Sequence, residues 1–399
     1  MCIMYFMVFG IAAFGGDFIK QNFAGISFTY ITMIALIISY FKYFILYRGK
    51  LKLDKRTKAI VYFEIYGLLM VVFSLVGVNK FFISSDLYSN VFYIPRQSYY
   101  LAVLPALILM REDMYMNSLK KNLNRYGDII FWSIYFLQII TNKKFCVSVP
   151  TIFALSALAL YNGGTRRTIK NLIKFIVILA TPIAVGGELT NIIIRMIYIS
   201  VFIFKDYKQN VIKIMSFGLI CMIIIIYVIP LFSPVFEDIF DANSFWRLRY
   251  WNDEIQQFVQ SHFLGVGYGT SYATEHFVGQ AGNIVGGPFG ATAEYTTMEK
   301  LFVVGPHNSY ITILFRLGLI GSAMFLFMIF SISNAIKKHF KNILPVTIYM
   351  FFSAVVIIGV NVGLESPYYL LIFVFALGFA IHDIKNCEKD NKNLGFNKI

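Results

Sequence analysis

Cys221-Met222-Ile223-Ile224-Ile225-Ile226-Tyr227-Val228-Ile229 runs on without a charge and without alternation between apolar and polar residues. A half-buried strand alternates with period two, and a membrane β-barrel strand does so over ~10 residues. This stretch therefore reads as part of a membrane-spanning helix. The rest of the chain reads the same way. Of its 399 residues 58% are hydrophobic and only 14% charged, with a mean hydropathy of +0.67. Soluble domains are about half apolar and about a quarter charged, so a soluble globule and a disordered chain are both excluded.

Apolar runs of membrane-spanning length recur near 1–16, 24–47, 59–78, 91–110, 127–141, 145–161, 170–186, 188–204, 211–231, 308–330, 344–361 and 366–384. The expected fold is all-α: a polytopic integral membrane protein of about 12 transmembrane helices, with one large periplasmic loop between helices 9 and 10. The domains follow as 1–231 (helices 1–9), 232–307 (the loop) and 308–399 (helices 10–12 and a tail). Met1 to Phe14 has no basic n-region and no small-residue cleavage site, so it reads as a membrane segment.

The formal net charge is +14. In a polytopic chain such an excess reflects the positive-inside bias rather than nucleic-acid binding. Arg48, Lys50, Lys52, Lys55, Arg56 and Lys58 fall in one connection, and Arg111, Lys120, Lys121 and Arg125 in the next but one. Arg166, Arg167 and Lys170, then Lys205, Lys208 and Lys213, then Lys337, Lys338 and Lys341, then Lys385, Lys389, Lys392 and Lys398 continue the alternation. Together these are 23 of the 35 Lys and Arg residues. The asymmetry places both termini in the cytoplasm. The four cysteines, Cys2, Cys146, Cys221 and Cys387, show neither a disulfide framework nor a zinc spacing. The two halves do not mirror each other, which argues against an inverted-repeat transporter.

The long outer connection carries the candidate chemistry. It opens on an amphipathic helix, capped by Asn243 or Ser244, with Leu248, Trp251, Ile255, Phe258 and His262 on one stripe. Arg247 flanks that stripe one turn before Trp251, and its planar fork suits phosphate oxygens. Arg249 points elsewhere, four residues before Asp253, where a solvated ion pair is the plain alternative. Gly265-Val266-Gly267-Tyr268-Gly269 resembles a potassium-channel filter, but it sits in a long loop rather than between two pore helices. With eight glycines in 265–290, mobility or close backbone approach to a ligand is expected there. The loop ends at Gly305-Pro306-His307-Asn308-Ser309-Tyr310, which sets His307 at the start of a helix. A shared metal at His262, His276 and His307 matches no ligand motif. Arg195, Arg316 and Glu64 lie inside apolar segments and must face partners or water. Pairing with Glu188 is the plain reading for Arg195, and an outward-facing anion cavity shared with Arg247 is the functional one. Arg316, nine residues past His307, is expected to point away from it, as a structural residue or toward a second pocket.

Taken in order, Arg247-x-x-x-Trp251, Gly265 to Gly269, His307-Asn308-Ser309-Tyr310 with Leu317-Gly318-Leu319-Ile320-Gly321, and Leu364-Glu365-Ser366-Pro367 resemble the superfamily of O-antigen polymerases and O-antigen ligases. The twelve segments and the single large loop match as well, and the sharp motifs lie in 245–370. The resemblance implies a metal-independent glycosyltransferase without cofactor, multi-pass in the bacterial inner membrane, with its active site facing the periplasm. It implies a donor and an acceptor glycan carried on undecaprenyl diphosphate, and a chain-length regulator protein as partner. It further implies that His307 is the catalytic base for the acceptor hydroxyl and that Arg247 holds the diphosphate. Arg195, Arg249, Asn308 and Glu365 accompany them as substrate-binding residues. Two departures stand out. Gly186-Gly187-Glu188 replaces a Ser-Arg pair at the eighth segment, with Arg195 deeper, and Arg316 stands where ligases often have Glu. The second departure weights the reading toward a polymerase over a ligase. A lipid-linked oligosaccharide flippase is the rival from another class, and a channel resting on Gly265 to Gly269 is a third.

Overall fold

A computed structural model describes residues 55–83, 87–110, 112–141, 148–163, 168–182, 188–204, 242–274, 298–360 and 363–396, with single positions at 10, 22–23, 26–27, 34, 38, 41, 45 and 277. The expected segments 1–16, 24–47 and 211–231 fall wholly or mostly outside the described residues, as do His276 and most of the glycine-rich stretch beyond Thr274.

What is described is helical. Ten helices of ten residues or more are α1 (Lys55–Leu75), α2 (Ile94–Val103), α3 (Asp113–Thr141), α4 (Val149–Gly163), α5 (Ile169–Ala180), α6 (Glu188–Phe204), α7 (Ala242–Gln260), α8 (Ser309–Lys338), α9 (Pro345–Val360) and α10 (Pro367–Phe396). Short helical turns occupy Ala106–Met110 and Met298–Val303. Among the described residues, extended pairing is limited to Asn22–Phe23 with Ile26–Ser27 and a bridge between Ser89 and Thr270. Among the described residues three helices are long and apolar enough to cross a membrane: Lys55–Leu75, Ser309–Lys338 and Tyr369–Asp390. The outer faces of the first two carry large apolar side chains, among them Leu68, Val72, Leu319 and Phe330. Such a belt is a liability in water and suits lipid.

Several boundaries differ from the sequence expectation, each for a local reason. The segment expected over 91–110 is broken after Val103, where Pro105 lacks the N–H that would continue the ladder. The segment expected over 170–186 stops at Ala180 because Thr181 precedes Pro182 and turns extended, at ψ 127°. The segments expected over 127–141 and 366–384 run on through their basic flanks, so Lys120, Lys121, Arg125, Lys385 and Lys389 sit on helices. Neither flank contains a proline, and ion pairs hold them. Lys389 meets Asp113 at 2.8 Å, and Arg56 grips Glu388 through both nitrogens at 3.0 and 2.7 Å. These contacts gather the start of α1, the start of α3 and the end of α10 at one pole. Helix α10 is buried along most of its length, and α9 and the short helix Ala106–Met110 pack against it.

The opposite pole is organised by a break in α8. Gly318 sits at φ 65° and ψ −164°, which interrupts the helix. In an unbroken helix Phe315 O would take the N–H of Leu319. Here Leu319 N donates to Phe263 O at 3.0 Å, while Val266 N and Gly267 N donate to the carbonyls of Phe315 (2.8 Å) and Arg316 (3.1 Å). Leu317 O takes the Tyr66 hydroxyl at 3.1 Å. The glycine-rich loop and Tyr66 have thus entered the break and supply partners for the carbonyls of Phe315, Arg316 and Leu317 and for the amide of Leu319. The approach is close. A Cβ on Gly265 would lie 2.4 Å from Gly318 N, and one on Gly318 would lie 2.4 Å from Leu264 C.

Gly265→Ala is therefore expected to cost roughly 3 kcal/mol or more, because backbone would have to move. Gly77→Ala shares the left-handed φ but meets nothing closer than 3.8 Å, and should cost about 1–2 kcal/mol. Thermal unfolding of the two variants in detergent checks the difference.

Candidate functional site

The pole that holds the α8 break brings α7 against the hinge before that helix. The Tyr250 hydroxyl donates to Val304 O, and Trp251 Nε1 donates to Pro306 O, both at 2.6 Å. Asp253 accepts from the N–H and hydroxyl of Thr274 at 3.2 and 2.9 Å. These bonds pin α7 at Tyr250, Trp251 and Asp253 and turn the Arg247 side toward His307. The guanidinium of Arg247 is near enough for its charge to act on the imidazole.

His307 has φ 57°, in the left-handed region that non-glycine residues rarely enter. Its neighbour Asn308 caps α8, its side-chain oxygen accepting from Tyr310 N at 3.0 Å and Ile311 N at 3.3 Å. The sharp turn at His307 is what lets Pro306 stay bonded to α7 while Asn308 begins the helix. Burial, and then the Arg247 charge, pull the imidazole pKa down to about 4. The side chain is therefore neutral at physiological pH.

One residue on, the Ser309 hydroxyl donates to Glu365 Oε2 at 2.8 Å and accepts from Leu364 N at 2.9 Å. Glu365, half-buried, has its carboxyl pKa raised by burial. A continuous chain of contacts thus joins α7, the hinge 304–309 and the loop 363–366.

The remaining expected residues take other places. Arg249 is exposed and points away from the Trp251 side. Arg195 donates to Leu179 O at 3.0 Å and Thr181 O at 2.6 Å, closing the carbonyl end of α5. Its described partners are these carbonyls rather than α7 or the hinge, and the Glu188 side chain lies outside the described residues. Arg316 is fully buried. Its Nη1 donates to the carbonyls of Gly267 (3.1 Å) and Thr270 (2.8 Å), and its guanidinium stacks 4.1 Å from the Tyr272 ring. Val266 O meanwhile accepts from Asn79 and Thr270, and Gly269 O from Asn90 N. The loop carbonyls that a channel filter would turn to an ion are taken by protein donors.

The stripe of α7 needs correction. Its buried side runs through Tyr250, Glu254, Gln257, Phe258 and Ser261, while Ile255 and His262 are exposed. The helix also begins at Ala242, before Asn243 and Ser244. Scoring by apolarity alone put Ile255 inside and passed over Glu254, which is fully buried. Its signal was positional: Glu254 lies three residues after Trp251 and seven after Arg247, on one helical face.

A cavity between α3, α4, α9 and α10, lined by residues such as Leu123, Phe153, Met350 and Phe375, is almost wholly apolar and lies apart from these groups.

Residues 152–326 match the family model described as O-antigen ligase. Over these residues the chain is similar to that family. The O-antigen ligase match runs from α4 into α8, and so takes in Arg195, Arg247, Glu254, His307 and Arg316 but not Glu365. No curated protein and no solved structure matches the chain.

The depressed imidazole has a consequence for stability. An unfolded histidine titrates near pH 6.5 and His307 near 4, so between those values the unfolded chain binds the extra proton. Stability is therefore unaffected above about pH 6.5 and falls as pH drops toward 4, by on the order of 3 kcal/mol. Wild type should lose this increment on acidification, and His307→Asn should not; unfolding followed from pH 7 to 4 measures the difference.

Proposed function

We propose that this protein is a membrane glycosyltransferase that polymerises undecaprenyl-diphosphate-linked oligosaccharide repeat units at the periplasmic face of the inner membrane. The observation that carries the reading is the pairing of a neutral, strained His307 with Arg247 across the hinge that opens α8.

The chemistry asks for two things. The acceptor hydroxyl must lose its proton as its oxygen bonds to the donor's anomeric carbon, and the bond from that carbon to the diphosphate must break. A neutral imidazole takes the proton. A guanidinium stabilises the charge gathering on the leaving undecaprenyl diphosphate, without requiring a metal ion. Asn308 and Ser309 serve by fixing the turn and the helix start, and Glu365 by closing the far wall. Arg195, remote in its contacts, acts on the scaffold, and Arg249 on the outer surface.

The orientation follows from charge. The basic flanks of α1, α3 and α10 meet at the pole opposite His307, and the positive-inside rule makes that pole cytoplasmic. With twelve spans, both termini lie inside. A flippase would place its substrate site near the midplane between two symmetric halves, whereas the polar groups here collect at one pole. A second reading, transfer of a finished glycan to lipid A–core, is favoured by the description of the matched family as O-antigen ligase.

Deleting the gene separates these readings. Single capped repeats on the cell surface mean a polymerase, and free long chains mean a ligase. Complementation with His307→Asn should leave less than about a tenth of the activity, as general-base steps are worth roughly 10²–10⁴ in rate. Arg247→Lys should lose most activity while inserting normally, since it keeps charge but loses the fork. Because the imidazole titrates near 4, activity should be flat from about pH 6 upward and fall only below about 5. A rise centred near pH 7 would assign the proton to another group.

A further inference from the structure

Arg247, Trp251 and Glu254 lie four and then three residues apart along α7, which puts them on one face. Arg247 is at the rim of that face and Glu254 at its depth. Buried carboxyl oxygens ordinarily have hydrogen-bond partners. Glu254 is fully buried, yet neither of its oxygens has a partner among the described residues. Oε1 of Glu365 and Nε and Nη2 of Arg316 also lack a well-aligned partner among the described residues, although the Thr312 and Tyr272 hydroxyls lie beside these two side chains. Arg316 and Glu365 lie near enough for their charges to act on Glu254, and Arg316 near enough to act on Glu365.

A direct fork between Glu254 and Arg316 would match both groups, but each is held by other bonds. Arg316 is tied to Gly267 O, Thr270 O and the Tyr272 ring. Glu365 is tied to Ser309, and the α7 backbone is fixed by Tyr250 and Trp251. Donors and acceptors are thus kept together and kept unmatched. We propose that Glu254, Arg316 and Glu365 form a hydroxyl-binding subsite for the acceptor glycan, with Glu254 as the residue that selects it.

The chemical class follows from the mixture. Two carboxyl groups disfavour a phosphate, and the buried guanidinium disfavours a simple cation. Neighbouring sugar hydroxyls each donate and accept, so one ring can answer both kinds of group. Glu254 lies seven residues along the helix from Arg247, roughly 10 Å of rise, a separation that a short oligosaccharide spans. The inference rests on the glycosyltransferase reading, with Arg247 at the diphosphate and Glu254 at the sugar.

The test uses the purified full chain in nanodiscs, undecaprenyl-diphosphate-linked repeat unit as donor, and oligosaccharide released from the cell's own surface polysaccharide as acceptor. Glu254→Leu should raise the acceptor KM by about tenfold or more with the donor KM within about twofold, as a site built for hydroxyls loses its partner. Glu254→Gln, which still donates and accepts, should stay within about threefold of wild type. The thermal midpoint of Glu254→Leu should equal or exceed that of wild type, because an unmatched buried carboxyl has been replaced by an apolar group. An unchanged acceptor KM would overturn the proposal and leave the cluster to water. A lowered midpoint with both KM values moved together would also overturn it, making Glu254 a structural partner of Arg316. If wild type transfers nothing, the glycosyltransferase reading fails, and binding decides the subsite. Oligosaccharide that raises the midpoint of wild type but not of Glu254→Leu supports it, and equal or absent shifts overturn it.

Discussion

The break in α8 at Gly318 is the constraint on which the pole around His307 depends. A helix interrupted in an apolar setting leaves carbonyl and amide groups that neither lipid nor side-chain packing can satisfy. Here the repair comes from backbone far away in sequence: Phe263, Val266 and Gly267 supply the missing partners. Backbone can approach that closely only where there is no Cβ, which is why Gly265 and Gly318 face each other across the contact. Arg316, on the turn before the break, then closes its guanidinium over the carbonyls of Gly267 and Thr270.

Once the loop is seated, the remaining geometry has little freedom. The loop follows directly on α7 and so fixes the end of that helix. It also reaches the first half of the chain, where Ser74, Asn79, Asn90 and Gln97 all bond to residues 266–270. With α7 held at one end by the loop and along its side by Val304 and Pro306, the turn at His307 has one way to reach Asn308. The left-handed φ of His307 is then a consequence of two fixed ends. Strain of this kind persists where the surroundings over-determine it, and it collects at functional positions. The arrangement links a structural contact inside α8 to the placement of an imidazole outside it.

Much of this was legible in the sequence, and the exceptions have physical causes. Helix α6 is unbroken across the described part of its apolar run, because Thr190 to Phe204 contains no glycine or proline. The hinge is visible because Pro306 is a signal with a known mechanism, whereas the cap supplied by Asn308 emerges only in the structure. Arg247 stood out as a cation beside an apolar stripe. Glu254 did not, because an acid within a helix of mixed polarity looks solvated until its neighbours are known. The eight glycines of 265–290 suit either mobility or close approach to a ligand, but at Gly265 the group that approaches is the backbone of α8. No local pattern announces that pairing, since Gly265 and Gly318 are 53 residues apart.

The most direct measurement is hydrogen exchange on the protein in lipid nanodiscs, followed at peptides covering 263–270 and 315–321. The amides of Val266, Gly267 and Leu319 bond to carbonyls across the break, so they should exchange about 10³-fold or more slowly than unstructured loop amides. Protection should appear and disappear together at the two peptides, since each supplies the other's partners. Loop-like rates at Val266 and Gly267 while α8 stays protected would contradict the account and leave His307 without the support proposed for it.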